Sequence, residues 1–177
     1  MKKACLLLML TSLLFSCKKN DNSPKELVNG RCRISCTISG AFNSNYQSQD
    51  AFSFTAVSKA LNPLDNTLVC ESLWKNDASG AREEVWIYVK ESTKQPGTYH
   101  FTDPSASEMF VQVLRKNIYT NVDTTWSAIA GDDFTLNITK IDYFEIEGTF
   151  SGTLKGKQNT SKNVTVSNGK FRGLFNR

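Results

Sequence analysis

The feature that most constrains the fold is an alternation of apolar and polar residues at every second position, which recurs from about Leu27 onward. The first such run places its apolar residues at Cys32, Ile34, Cys36 and Ile38, with polar residues between them. Successive side chains of an extended strand point to opposite faces of a sheet. The run therefore predicts a strand with one buried face and one face in water.

Five further runs show the same alternation, at residues 52–56, 85–89, 134–139, 144–150 and 164–166. Turn-forming pairs separate them, at residues 62–63, 79–80, 96–97, 103–104, 131–132 and 168–169. Strands of this length and spacing predict a single antiparallel β-sandwich, with a β-barrel as the alternative and little or no helix. Phe144 falls on the apolar face of its run, and Gly148 on that face predicts a bulge or a close backbone approach.

The segment from Ser105 to Leu114 fits two patterns. Ser105 followed by Glu108 has the spacing of a helix capping box. Met109, Val111 and Val113 instead alternate with their neighbours, as in a strand. We predict a strand that is buried on both sides, with at most one helical turn at its start.

The N-terminal segment has the features of a secretory signal. Lys2 and Lys3 precede twelve uncharged, mostly apolar residues, 4–15. That stretch is shorter than the roughly 18 apolar residues needed to span a bilayer, and a charged start followed by a short apolar region is typical of a signal peptide. Residues 1–16 are therefore predicted to be the signal.

The end of this signal, Leu14-Phe15-Ser16-Cys17, resembles the lipobox of bacterial lipoproteins. The resemblance implies cleavage after Ser16 and acylation of Cys17, which would hold the chain on a membrane because several buried acyl chains bind far more tightly than one. Residues 17–26 then read as the lipidated Cys and a flexible polar tether, and residues 27–177 as one all-β domain. A single acid in the tether, Asp21, leaves both the periplasmic face and the cell surface open.

The charge distribution argues against nucleic acid as a partner. The chain has 21 Lys and Arg against 17 Asp and Glu. Without Lys2, Lys3, Lys18 and Lys19, which lie in or just after the signal, 21 − 4 = 17 basic residues remain, and they balance the 17 acidic residues of the chain. No basic stripe remains to follow a phosphate backbone.

The order of motifs resembles small outer-membrane lipoproteins of the Bacteroidota that are built on all-β domains of unknown function. The matching segments are ISG at 38–40, PGTY at 96–99, FTLNIT at 134–139, EGTFSG at 147–152 and VTVSNGKF at 164–171. The resemblance implies an anchored β domain, and it brings no catalytic residues and no cofactor.

The sequence gives little support for a catalytic site or a metal site. The single histidine, His100, has no carboxylate before Asp103, so we interpret it as a strand residue rather than a catalytic base. Cys32 and Cys36 would lie about 13 Å apart on a strand, too far to share a metal ion or a disulfide. They are predicted, with Cys70, to be small core residues, although Cys70 could instead pair with Cys32 or Cys36.

Two acidic pairs, Glu83-Glu84 and Asp132-Asp133, are the candidates for a hydrolase. Adjacent strand residues point to opposite faces, so we interpret both pairs as turn or solvated residues. Calcium at Gly131-Asp132-Asp133 is a second interpretation, without the full set of oxygen ligands that such a site needs. No metal ligand is assigned.

Three aromatic residues give the best functional indication. Trp86 and Tyr88 lie on the polar face of their run, and Trp126 stands among polar residues. Exposed aromatic rings on a sheet bind sugars or protein partners, although Trp86 would be a core residue if both faces of its strand were covered. We predict a binding module, not an enzyme, whose partner is a glycan or a protein of the envelope or host. The alternatives are a carrier or inhibitor with an apolar cavity and a carboxylate-based hydrolase.

Asp123-Thr124-Thr125 resembles the acceptor sequence for O-glycosylation in secreted Bacteroides proteins. The resemblance makes Thr124 the candidate for sugar attachment.

Overall fold

The computed structural model describes residues 31–48, 51–57, 66–76, 81–90, 95–117, 119–142, 144–157 and 160–174, with the backbone alone for 51–57, 66–76 and Lys90. The predicted signal, Cys17 and the tether lie outside this part of the chain. Eleven strands are present: β1 Arg31–Gly40, β2 Ser44–Gln47, β3 Ala51–Val57, β4 Asn66–Asn76, β5 Ala81–Lys90, β6 Gly97–His100, β7 Met109–Asn117, β8 Val122–Ala128, β9 Phe134–Ile141, β10 Glu145–Lys157 and β11 Val164–Leu174.

The strands form one curled antiparallel sheet. Hydrogen-bonded neighbours follow the order β11-β1-β3-β4-β5-β7-β8-β10-β9-β6, β10 also pairs with β11, and β2 pairs with β1. The path therefore returns to its first strand, and the sheet encloses an inner face. The prediction of an all-β fold of sandwich or barrel type is confirmed. In the described residues no helix is long and apolar enough to cross a membrane.

The inner face carries the core. Along β1 the buried residues are those at alternate positions, as the sequence pattern predicts. They form part of one core, whose largest fully buried side chains are Tyr46, Phe101, Phe134, Ile34, Ile38, Ile87, Leu136, Ile138, Ile146, Leu154 and Val85. Burial of apolar surface at about 25 cal/mol per Å² is the main contribution of such a core to stability.

The segment with two possible interpretations is a strand after one short turn. Pro104–Ala106 forms a single 3-10 turn, and β7 begins at Met109. Its inner residues Met109, Val111 and Val113 are buried, whereas Phe110 and Gln112 are half-buried. The predicted strand is confirmed, but it is fully buried only on its inner side.

Asn168-Gly169 does not reverse the chain, so the predicted turn is wrong at this position. β11 continues through both residues, and the register with β10 shifts between Phe150 and Gly152. Asn168 has a φ of +54°, a value that this residue type adopts more readily than most. The Asn-Gly pair therefore forms part of a β-bulge.

Two expectations about β10 have opposite outcomes. Gly148 lies on the buried face, at a register shift against β9, with the ring of Phe171 directly above it. The predicted close approach is confirmed.

Phe144, by contrast, is 70% exposed, because β10 begins only at Glu145. Phe144 therefore precedes the strand and does not share the buried face on which Ile146 lies.

Candidate functional site

An aromatic surface lies on the outer face of β5 and β7. It consists of Trp86, Tyr88 and Phe110, which are all half-buried. Tyr88 and Phe110 are cross-strand partners, and their rings stack with centroids 4.9 Å apart and an interplanar angle of 8°. Trp86 precedes Tyr88 by two residues and therefore projects from the same face. The aromatic surface thus joins two neighbouring strands.

Polar side chains border this aromatic surface. The indole Nε1 of Trp86 donates a hydrogen bond to Oε2 of Glu84, at 3.2 Å. Gln112 is the cross-strand partner of Trp86 and is also half-buried on this face. Stacked rings with a carboxylate and an amide beside them can hold a ligand that has both apolar faces and hydroxyl groups.

Trp126 does not belong to the aromatic surface, which corrects its predicted position. It is 3% exposed and lies on the inner face of β8, opposite Val113. Its ring contacts the ring of Phe42, with centroids 5.0 Å apart, and its Nε1 donates to the carbonyl of Lys162 at 2.8 Å. The polar residues that flank Trp126 take the outer face, so the ring between them faces inward. The three predicted aromatic residues therefore do not converge.

Thr124 is half-buried and lies on the inner side of the same strand, opposite Arg115. Its side chain lines a cavity together with Arg115 and Asn117. The predicted sugar attachment at Thr124 stays a prediction.

Glu83 is a buried carboxylate, and its interpretation as a solvated residue is wrong. The side chain is 3% exposed because it continues the inner alternation of Val85, Ile87 and Val89. Its Oε2 accepts a hydrogen bond from Oγ of Ser44, at 2.6 Å. Glu84 takes the opposite face, as expected for neighbouring strand residues, so the two acids do not share a cleft.

The same environment acts on a cysteine of β1. Burial, with a smaller contribution from the negative charge of Glu83, raises the pKa of Cys36 to about 12. Cys32 and Cys36 are both buried, which confirms them as core residues. The side chain of Cys70 lies outside the described residues. The alternative, a bridge from Cys70 to Cys32 or Cys36, is tested by a count of free thiols in the denatured, unreduced protein: three free thiols would exclude it.

Asp132 holds a turn together. Its Oδ2 accepts a hydrogen bond from the Ile129 amide at 2.8 Å, and its Oδ1 lies 2.5 Å from Nζ of Lys155. Burial acts to raise the pKa of Asp132, but Lys155 and the Ile129 amide together hold it below the usual value. Because its two oxygens contact the Ile129 amide and Lys155, the Asp132 carboxylate has a structural role in this turn. Among the described residues, no three His, Cys, Asp or Glu side chains are grouped to bind a metal ion.

His100 lies exposed at the end of β6. Its Nδ1 is 3.1 Å from Oγ1 of Thr135 on β9. This single contact agrees with its interpretation as a strand histidine with a polar partner.

A second, polar groove lies on the outer face of β9, β10 and β11. Its volume is about 500 Å³, and its lining residues are Thr135, Asn137, Thr149, Phe150, Ser151, Asn168, Gly169 and Lys170. Sequence reasoning did not identify it, because the lining comes from three strands that are separated along the chain. The only sequence signal for this groove is the set of polar residues at alternate positions of each run.

Comparison of the chain with protein families, with curated proteins and with solved structures gave no match.

Proposed function

We propose that the protein is a lipoprotein anchored to the outer membrane through Cys17, and that its β domain is a binding module for glycans. The anchor is supported by the sequence Leu14-Phe15-Ser16-Cys17 after a short apolar stretch. The binding role is supported by one structural observation, the aromatic surface formed by Trp86, Tyr88 and Phe110.

The chemistry of the aromatic surface favours a sugar. An aromatic face packs against the C–H side of a pyranose ring, and nearby polar groups pair with its hydroxyls. Glu84 and Gln112 supply an acceptor and a mixed donor and acceptor next to Trp86. The rings are fixed in place by stacking and by the Trp86 hydrogen bond, so binding would immobilise few side chains.

Binding is tested with the purified mature chain on a glycan array, followed by calorimetry with the glycans that bind. We expect Trp86→Ala and Tyr88→Ala to weaken binding at least about tenfold, since an aromatic contact of this kind supplies 1 kcal/mol or more. Phe144→Ala is the matched control, because Phe144 is an exposed ring at a distant hairpin. An equal loss in the control, or no glycan binding at all, would refute the glycan assignment.

The anchor is tested separately, by metabolic labelling with a palmitate analogue in a bacterial host. The wild-type chain should carry the label and fractionate with membranes, and Cys17→Ser should do neither. Unlabelled wild-type protein would contradict the anchor without bearing on the aromatic surface.

A further inference from the structure

The polar groove on the outer face of β9, β10 and β11 has the volume of a small-molecule site, about 500 Å³. Its lining includes Phe150 and Gly169, which lie on the buried face of their strands and therefore meet the groove through their main chain. The other six residues supply three hydroxyl groups, two carboxamides and one ammonium group: Thr135, Thr149, Ser151, Asn137, Asn168 and Lys170. The groove is thus a set of hydrogen-bonding groups with a single ionisable residue.

A bulge in β11 lies within the groove. Between the pairs Phe150–Gly169 and Gly152–Val166, β11 advances three residues while β10 advances two. The register of β11 against β1 shifts at the same place. Asn168 lies in this bulge, with a φ of +54°, and its side chain is exposed. A bulge bends its strand and re-aims a side chain, often next to a functional site.

The edge strand β6 positions two of the lining side chains. Oγ1 of Thr98 donates a hydrogen bond to Oδ1 of Asn137 at 3.2 Å, and Nδ1 of His100 lies 3.1 Å from Oγ1 of Thr135. Because the carbonyl oxygen of the Asn137 amide is used by Thr98, its Nδ2 is the group that can donate to a ligand. Part of the hydrogen-bonding geometry is therefore set before a ligand enters, which lowers the entropy cost of binding.

The polar side chains of the groove form a row across three strands. Thr149 is the direct partner of Lys170 on one side and of Asn137 on the other. Neighbouring strands lie about 4.8 Å apart, so the row is about 10 Å wide. Ser151, opposite Thr135, adds a second row two residues further along β10. An ammonium group thus stands at one end of the groove, with hydroxyls and an amide beyond it.

The acidic residues of β10 lie in a separate cluster at its start. Glu145 contacts Lys140 and Nη2 of Arg172, and Glu147 stands in register with the same two cations. None of the ion pairs between residues that the structure describes involves Lys170. The exposed ammonium group of Lys170 is therefore the charge that a ligand in the groove would meet.

We propose that the polar groove binds an acidic saccharide. The ammonium group of Lys170 holds the sugar carboxylate, and a charged hydrogen bond of this kind is stronger than a neutral one. Thr149, Ser151 and Asn137 pair with the sugar hydroxyls, because hydroxyl groups and amides can supply both the donors and the acceptors that a sugar needs.

This site is distinct from the aromatic surface, since β8 lies between β7 and β10 in the order of the sheet. It does not depend on glycan binding by Trp86 and Tyr88. The two sites can therefore be tested independently.

The test is an NMR titration of the ¹⁵N-labelled mature chain with three probes. D-glucuronate carries both the carboxylate and the hydroxyls, D-glucose the hydroxyls alone, and acetate the carboxylate alone. We expect saturable shifts of the backbone amides of residues 135–137, 149–151 and 168–170 with glucuronate, and weaker binding of both other probes.

Each of the other outcomes contradicts part of the proposal. Equal affinity for acetate would show a simple anion site, and equal affinity for glucose would show that the charge of Lys170 is not used. Absence of saturation up to about 10 mM glucuronate would overturn the site. Shifts confined to residues 84–88 and 110–112 would also overturn it, while they would support binding at the aromatic surface.

One pair of variants separates the groove from general attraction of anions. Lys170→Gln should weaken glucuronate binding about fivefold or more, as expected for loss of a charged hydrogen-bonding group. Lys157→Gln removes the same charge from an exposed residue about 20 Å beyond Ser151 along β10, and it should leave binding unchanged. Both substitutions are at the surface and should preserve the fold, which the ¹⁵N spectrum verifies. An equal loss in both variants would refute the site.

A second pair of variants tests the hydroxyl-binding part of the groove. Ser151→Ala removes one hydroxyl from the lining, and Ser167→Ala removes one from an exposed serine of β11 that lies outside it. Only Ser151→Ala should weaken glucuronate binding, by about threefold, as expected for one neutral hydrogen bond. Equal affinity of Ser151→Ala and the wild-type chain would overturn the assignment of Ser151.

Discussion

Gly148 and Phe171 are direct partners across β10 and β11, and a Cβ atom at Gly148 would lie 2.6 Å from the ring carbon Cζ of Phe171. Two residues further along the same ladder the arrangement is reversed, with the ring of Phe150 over Gly169. Each ring thus occupies the space that the opposite glycine leaves empty. The pair of strands is packed by complementary shapes on its inner face.

Gly148→Ala is therefore expected to destabilise the fold by about 3 kcal/mol, the upper part of the range for overpacked cores. The added methyl group meets the Asn137 carbonyl oxygen as well as the ring, and backbone atoms cannot move aside easily. Urea unfolding measures the change. Thr149→Ala, at an exposed position next to it, should change stability by less than about 0.5 kcal/mol. Equal stability of the Gly148 variant and the wild-type chain would contradict this close packing.

The alternating pattern was sufficient to predict the fold class and the buried face of several strands, because burial on one face requires a period of two. At Asn168-Gly169 the local sequence is not sufficient to predict whether the chain forms a turn or a bulge. The same dipeptide favours a tight turn or a bulge, and the outcome depends on β10, which pairs with β11 on both sides of the irregularity.

The candidate sites were less predictable. A charged residue such as Glu83 is normally predicted to be exposed to solvent. Glu83 instead lies on the inner face of β5 and is buried against Ser44. Trp126 has polar neighbours, but those neighbours take the outer face of β8. The residues that line the cavity around Arg115 come from strands β5, β7 and β8 and the turn between β7 and β8. No pattern within a single segment of the sequence predicts that they lie together.

Glu145 should make stability depend on pH in mild acid. Hydrogen bonds from Lys140 and then from Arg172, whose Nη2 lies 2.8 Å from Oε2, hold the pKa of Glu145 below its usual value. A lowered folded-state pKa stabilises the fold above the unfolded value of about 4.3, and this stability is lost as pH falls through the folded-state pKa. Glu145→Gln should therefore cost about 1 kcal/mol at pH 7, a modest value because both cations are partly exposed.

The difference between the two proteins should begin to shrink as the pH drops below about 4.3 and become small below the folded-state pKa of Glu145, because both proteins then carry a neutral side chain. Thermal unfolding at a series of pH values measures it. A constant difference across the pH range would contradict the role of the charge.

Trp86 and Trp126 should differ in their accessibility to a fluorescence quencher. Trp126 is 3% exposed and half-buried Trp86 lies on the outer face, so acrylamide should quench Trp86 more strongly. In a Trp74→Phe background, which removes the third tryptophan of the chain, Trp86→Phe should remove the readily quenched part of the emission, and Trp126→Phe the protected part. Trp126→Phe should also lower stability by about 1 kcal/mol, because the Lys162 carbonyl loses its hydrogen bond. Equal quenching in both variants would contradict the placement of the two rings on opposite faces.

The Cys36 thiol should resist alkylation in the folded protein. With its pKa raised to about 12, mainly by burial and further by Glu83, the thiolate at pH 8 is roughly a thousandfold rarer than for an ordinary thiol of pKa about 8.5. Iodoacetamide labelling of Cys36, followed by peptide mass spectrometry across a pH series, measures this. Glu83→Gln removes the negative charge and should speed labelling while leaving it far slower than in the denatured chain, because burial persists. Glu84→Gln, on the opposite face, should have no effect. An equal acceleration by both substitutions would show that Glu83 does not act on Cys36 across the inner face.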